Sequence, residues 1–198
     1  MMILPKELPK YECLQQMAEQ VPEVDPTAVE ACLHLLRTAA DVSQAFDAHF
    51  QRHGISQGRF TVLMLLMRQH HEKGEQAPGM SPSELAESAG VTRATMTGLV
   101  DGLERDAFVV REPAPDDRRT LLIRLTPKAT CFLTNMFPDH FRRVAALMAF
   151  LPQADRETLM DLLAKVRLGV PAVADAEPLD SPTPDPPAPQ HSETRTPR

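Results

Sequence analysis

The 198-residue chain is poor in the features that would mark most other classes of protein. Nowhere does it carry a run near the roughly 18 apolar residues that a membrane-spanning helix needs. Its opening residues, Met1 to Lys10, lack the basic-then-apolar order of a secretory signal. Cysteine is scarce, and Cys13, Cys32 and Cys131 stand at unrelated spacings that build neither a zinc framework nor a disulfide scaffold. Gly-rich phosphate loops, Gly-x-Ser-x-Gly elbows and metal triads are missing from the sequence. Cys32 and His34 resemble a nucleophile and base in composition only, because positions i and i+2 of a helix face different ways. The expectation is a cytoplasmic protein that is not an enzyme, has no membrane segment and needs no cofactor.

Basic charge is also short. The formal net charge is -6, and the segment Ser81–Leu125 carries six Lys/Arg against eight Asp/Glu. Residues 171–198 hold eight of the 19 prolines, no glycine and few large apolar side chains. Such a stretch cannot bury enough surface to offset its ordering entropy, and it reads as a disordered, acidic, Pro-rich tail.

What is present is concentrated between Ser81 and Leu125. Ser81 can cap a helix, Pro82 suits its first position, and Glu84 completes a capping box. Gly90 ends that short helix where a left-handed backbone is needed, and Thr92 caps the next. Met96, Leu99, Val100 and Leu103 recur at helical spacing as one apolar face. Ala94, Thr95, Thr97, Gly98 and Asp101 then point elsewhere, with Arg93 beside the first turn. Small and hydroxylated residues let a helix sink into a major groove, where base edges offer donors, acceptors and thymine methyls. Two packed helices with an ordinary polar face would show the same spacing.

The following segment separates these readings. Phe108–Arg111 and Leu121–Leu125 are strand-like runs on either side of a Pro- and Asp-rich tip, and Leu121, Ile123 and Leu125 alternate as one buried strand face would. The tip ends in Asp116-Asp117-Arg118-Arg119, and arginine at a hairpin tip suits the negative potential of a narrow minor groove.

Val91 to Glu104, the tip from Arg111 to Arg119 and the run Leu122 to Pro127 together resemble the MarR family of bacterial transcriptional regulators. The resemblance extends over roughly residues 27–168 and is densest from Ser81 to Lys128. It implies a homodimeric, mainly α protein: a winged helix-turn-helix with a two-stranded β wing, plus N- and C-terminal helices forming a dimerisation region. It also implies binding to a pseudo-palindromic DNA operator, usually as a repressor, with release by a small aromatic or phenolic ligand. Carried onto this sequence, it puts Thr92, Arg93, Thr95 and Thr97 at the groove-facing start of the recognition helix. Arg118 matches the minor-groove arginine of the wing, and Asp116 the acid that orients it. Gly98, small enough to let the helix approach the groove, and Ser81 complete the candidate DNA-facing set, and backbone N–H groups at helix starts can meet phosphates despite the acidic balance.

The frame is expected as an N-terminal extension over residues 1–26, a MarR-type domain over 27–170 and the tail over 171–198. Within the domain the winged helix-turn-helix spans 56–125, and the dimerisation helices span 27–53 and 127–168. Gly54 stops the first long helix, Ser56 caps the second, and Gln69 to Met80 reads as a polar loop. Thr126 and Pro127 open a helix that Pro138 should kink or divide. His34, Arg59, Phe60 and Leu63 are candidates to line an effector cleft below the first two long helices.

Two other sensing chemistries have partial signals. Cys32 lies where the hydroperoxide-sensing branch of the family keeps its reactive cysteine, but Leu36 and Phe46 stand where that branch has tyrosines. A small buried hydrophobe is the plainer reading of Cys32, and a thiol-oxidation sensor is the alternative. His49 and His53 are one helical turn apart, and His70-His71-Glu72 ends the second helix. No Cys-rich context accompanies either group, so no metal site is assigned. A winged-helix protein-interaction module without DNA binding stays open because of the acidic reader.

Overall fold

A computed structural model describes residues 7–21, 23–73, 79–114 and 119–175. The expected tip residues Asp116 and Arg118, and the tail from residue 176, lie outside the described residues. The chain divides near Val144 into two compact units.

In the first unit, α1 (Tyr11–Gln20) belongs to the extension and buries Leu14, the one apolar side chain on it that is nearly inaccessible. The long helix α2 (Pro26–Arg52) starts where the Asp25 carboxylate accepts from the backbone N–H of Thr27 (2.9 Å) and Ala28 (3.1 Å). Pro26 at its first position loses no hydrogen bond, because that N–H would be unpaired anyway. Gly54, with φ of 68°, ends it as expected. The backbone N–H of Arg59 donates to Ser56 Oγ (3.3 Å) at the start of α3 (Gln57–Lys73). That helix continues past Gln69, supported by an exposed Arg68–Glu72 pair one turn apart, so the polar loop is shorter than the composition suggested.

The reader follows. α4 (Pro82–Ala89) has the full capping box: Ser81 Oγ accepts from the Glu84 N–H (3.2 Å), while Glu84 Oε2 accepts from the Ser81 N–H (2.7 Å). Gly90 sits in the left-handed region at φ of 64°. Thr92 Oγ1 accepts from the Thr95 N–H (3.1 Å) to open α5 (Arg93–Arg105). The strands β1 (Val109–Pro113) and β2 (Leu121–Leu125) pair antiparallel with Val109 opposite Leu125 and Pro113 opposite Leu121. Ile123 is buried, but Leu121 is exposed. The expected apolar strand face therefore holds only at the base of the hairpin, because the outer pairs extend past the core.

One core joins these parts. Leu63 and Val62 of α3, Leu85 of α4, Met96, Val100 and Leu103 of α5, Ile123 of β2 and Leu133 of α6 (Pro127–Leu147) are all fully inaccessible. Burying a Leu- or Met-sized side chain stabilises by about 1.5–3 kcal/mol, so this cluster holds α5 by its apolar face and leaves the opposite face bare. Thr126 Oγ1 accepts from the Ala129 N–H (3.2 Å) at the start of α6. Pro138 does not divide α6. It stands on an exposed side, as does Thr134, whose carbonyl would have received the missing bond.

In the second unit, α7 (Gln153–Ala174) begins after Pro152 and runs through Pro171, so the first residues of the Pro-rich segment are helical. Met160, Leu162, Leu163, Val166, Leu168 and Val170 are all exposed along it. Among the described residues, no helix is long and apolar enough to cross a membrane.

Gly79 is the tightest point in the backbone. Its φ is 89°, and a Cβ there would lie 2.6 Å from the Ile123 carbonyl oxygen. The neighbouring Met80 exchanges two backbone hydrogen bonds with Ile123, at 3.1 and 2.8 Å. Gly79→Ala is expected to cost about 2 kcal/mol of unfolding free energy. A urea titration reads this as a lower midpoint with unchanged slope; an unchanged midpoint would show that the Met80–Ile123 bridge moves without cost.

Candidate nucleic-acid interface

The interface is built from the turn between α4 and α5. Ala86, nearly inaccessible, lets the two helices cross closely, and Gly90 reverses the chain without a Cβ penalty. Gly58 of α3 lies under Leu99, and the Arg59 guanidinium lies over Gly102, where a Cβ would clash at 2.0 Å. Arg59 Nη1 then donates to Asp106 Oδ2 (2.8 Å) at the end of α5. These contacts set the roll of α5 about its axis.

With the roll set, Thr92, Arg93, Ala94, Thr95, Thr97, Gly98 and Asp101 are all exposed. Thr92 Oγ1 and Thr95 Oγ1 share a hydrogen bond of 2.9 Å, and Thr97 Oγ1 donates to the Arg93 carbonyl (2.9 Å). Each hydroxyl keeps a lone pair to offer, while its rotation is restrained. Gly98 has no atom within 4 Å of where a Cβ would project. Arg93 carries the only charge between Thr92 and Gly98.

Asp101, Glu104 and Glu112 stand in ion pairs beside that face. Arg111 of β1 reaches back to Asp101 and to Glu104 Oε2 (3.1 Å), and Arg124 of β2 pairs with Glu112 (3.0 Å). At the end of α5, Ala107 takes a left-handed φ of 58°. Lys128 Nζ donates to the Asp106 carbonyl (2.7 Å) and Thr126 Oγ1 to the Ala107 carbonyl (2.8 Å). This corner sets where the wing leaves the helix; Thr126 was read in the sequence only as a helix cap, and Ala107 and Lys128 were not singled out. Alanine is a weak signal for φ > 0, and ion pairs between distant positions leave no spacing pattern.

The expected effector residues are dispersed. His34 is exposed on α2, Arg59 is held by Asp106, and Phe60 and Leu63 are buried in the core. None of the four lines an open cleft of about 780 Å³ among α3, the hairpin and the start of α6. Gln69, His70, Arg124, Thr130, Cys131 and Asn135 are among its walls. Cys32 is exposed within one chain, contrary to the expectation of burial, because the side of α2 on which it stands is left uncovered there.

A second polar group lies away from α5. Asp139 of α6 comes against His49 and His53 of α2, with Oδ2 at 3.3 Å from His49 Nδ1 and 3.6 Å from His53 Nε2. Burial lowers the pKa of His49, with His53 and Arg143 adding to the effect against a raising influence of Asp139. Partial desolvation works against the Asp139 carboxylate, but the Arg143 hydrogen bond and charge, with help from His53 and Arg142, hold its pKa below the usual value. The His49–His53 spacing was legible in the sequence; its partner, 86 residues beyond His53, was not.

A recognition helix held by its apolar face, a capped helix before it and a β hairpin after it define a winged helix-turn-helix DNA-binding protein. The MarR family profile matches residues 55–121. The transcriptional repressor YetL of Bacillus subtilis is 33% identical over 158 residues, covering 80% of this chain and 91% of YetL. The chain belongs to the MarR family of DNA-binding transcriptional regulators. Among solved structures, the repressor CouR bound to a 23-mer DNA duplex is 26% identical, with a TM-score of 0.58 over 68% of this chain and 90% of CouR. CouR from Rhodococcus jostii RHA1 bound to p-coumaroyl-CoA shares the fold at 24% identity, with a TM-score of 0.59 over 69% of this chain and 90% of that one.

The open space at Gly98 separates stability from recognition. Gly98→Leu is expected to raise helix stability by about 0.8 kcal/mol while weakening operator binding about tenfold or more. Urea unfolding and fluorescence anisotropy on the same preparation read the two effects, and a stable variant with unchanged DNA affinity would remove Gly98 from the groove face.

Proposed function

We propose that this chain is a cytoplasmic homodimeric repressor that leaves a pseudo-palindromic operator when a small aromatic or phenolic effector binds. The observation that carries the reading is the bare face of α5 from Thr92 to Gly98: small, hydroxylated and carrying one cation, Arg93. Thr92, Thr95 and Thr97 meet base edges in the major groove, and Arg93 meets a phosphate. Arg118 enters the minor groove, oriented by Asp116. Ser81 places the amide end of α4 against the backbone, where helix-terminal N–H groups favour anions.

The dimer reading is supported by α7, whose exposed Leu162, Leu163, Val166 and Val170 would be costly to leave in water on a monomer. The exposed and half-buried first half of α2 supports it too. Two copies related by a two-fold axis would present two α5 helices to two half-sites. The effector reading draws on CouR, whose bound ligand is a phenolic thioester. In this chain the cleft between α3, the hairpin and α6 is the place for such a ligand, since occupancy there would bear on β2 and so on the wing.

A protein-contact module is the second reading, favoured by the excess of acids over bases in Ser81–Leu125. Anisotropy titration against the chain's own upstream DNA, with unrelated DNA as competitor, separates the two. A repressor predicts competitor-resistant, steeply salt-dependent binding; a contact module predicts none. Arg93→Ala is expected to weaken binding to all sequences alike and to lower the salt slope by about one. Arg118→Ala is expected to weaken operator binding with the dimer intact by sedimentation, and unchanged affinity would remove the wing from the mechanism.

A further inference from the structure

We infer that His49, His53 and Asp139 form a binding site for a divalent transition metal of the zinc class, linking the end of α2 to α6. Three donor atoms, one from each residue, lie within 4.8 Å of one another. Two ligands about 2.0 Å from a tetrahedral zinc stand about 3.3 Å apart. The carboxylate oxygen is 3.3 Å from His49 Nδ1 and 3.6 Å from His53 Nε2, near that spacing, and the three donors, which lie within 4.8 Å of one another, would draw together around an ion.

His49 supplies the independent observation. It is fully inaccessible, yet neither ring nitrogen has a hydrogen-bond partner among the described residues. Its Nδ1 is close to Asp139, but the geometry is not that of a hydrogen bond. A buried imidazole without partners is costly to keep, and a metal ion would satisfy the nitrogen that lies beside the carboxylate. Phe46, Phe50 and His140 pack around its ring, with centroids 5.5–6.4 Å away, and keep that side dry. His53 and Asp139 are partly exposed, which leaves an entry path from solvent.

The neighbouring charges shape the site. Arg143 Nε donates to Asp139 Oδ2 (3.2 Å), while Arg142 and Arg143 reach Oδ1 at 3.1 and 3.5 Å. A metal takes Oδ2 from Arg143, and the bonds to Oδ1 then orient the carboxylate as outer-shell partners do. His140, whose Nδ1 is also buried without a partner among the described residues, stacks on His49 and belongs to the wall. Three protein donors leave the fourth position to solvent or to a ligand. The site is independent of the DNA-binding reading.

The test is titration of the full chain, freed of metal by chelator, with Co²⁺ followed by its visible d–d absorption. Zn²⁺ competition and thermal melting accompany it. The expected result is one Co²⁺ per chain with the intense bands of a four-coordinate site, displaced by Zn²⁺, and a melting temperature that Zn²⁺ raises. His53→Ala and Asp139→Ala, both at partly exposed positions, are expected to weaken Co²⁺ binding about tenfold or more while keeping the helical circular dichroism. Cys13→Ser with Cys32→Ser and Cys131→Ser, and separately His70→Ala with His71→Ala, are expected to leave the bands unchanged. Lack of saturable Co²⁺ or Zn²⁺ binding, undiminished binding in folded His53→Ala, or bands lost with the cysteines or with His70 and His71 would each overturn the assignment.

Discussion

The structure turns on Ile123. Its side chain is fully buried in the core that grips α5, and its backbone lies opposite Arg111 in the hairpin. On its other edge it exchanges two hydrogen bonds with Met80, immediately before the cap of α4. One residue thus ties the start of the reader to the base of the wing. The arrangement works only because Gly79 lets the chain pass within reach of the Ile123 carbonyl. Backbone pairing of this kind has little freedom to slip, since a one-residue shift would turn Ile123 out of the core.

Charge is handled by position rather than by amount. An acidic segment is a poor match for DNA if its acids stand on the contact face. Here Asp101 and Glu104 are drawn to Arg111, Glu112 to Arg124 and Asp106 to Arg59, while Glu84 completes the α4 capping box. The contact face keeps threonines, a glycine and Arg93. Exposed pairs such as these add little stability, and their role is to set a cation against each acid that would otherwise face DNA alone.

Much of the reader was legible in the linear sequence, because helix ends are set by local chemistry. The capping box at Ser81, the left-handed Gly90 and the Thr92 cap depend on residues within a few positions of one another. The same locality explains where reading along the chain went astray. Leu121 alternates correctly with Ile123, yet stands in solvent because burial depends on how far the core reaches. Cys32 has the composition of a buried hydrophobe on a helix side that the single chain does not cover. Pro138 would break an isolated helix, but an exposed position lets the helix continue.

The sequence by itself determined the reader helices with their caps at Ser81, Gly90 and Thr92, the hairpin and the face of α5 that would be bare, since periodicities of two and 3.6 residues and capping are short-range properties. Only the tertiary structure decided which distant groups meet. It set Arg59 across Gly102 onto Asp106, Arg111 onto two acids of α5, and Asp139 against His49 and His53. Packing brings such pairs together through contacts made by residues between them, and no spacing in the chain encodes that distance.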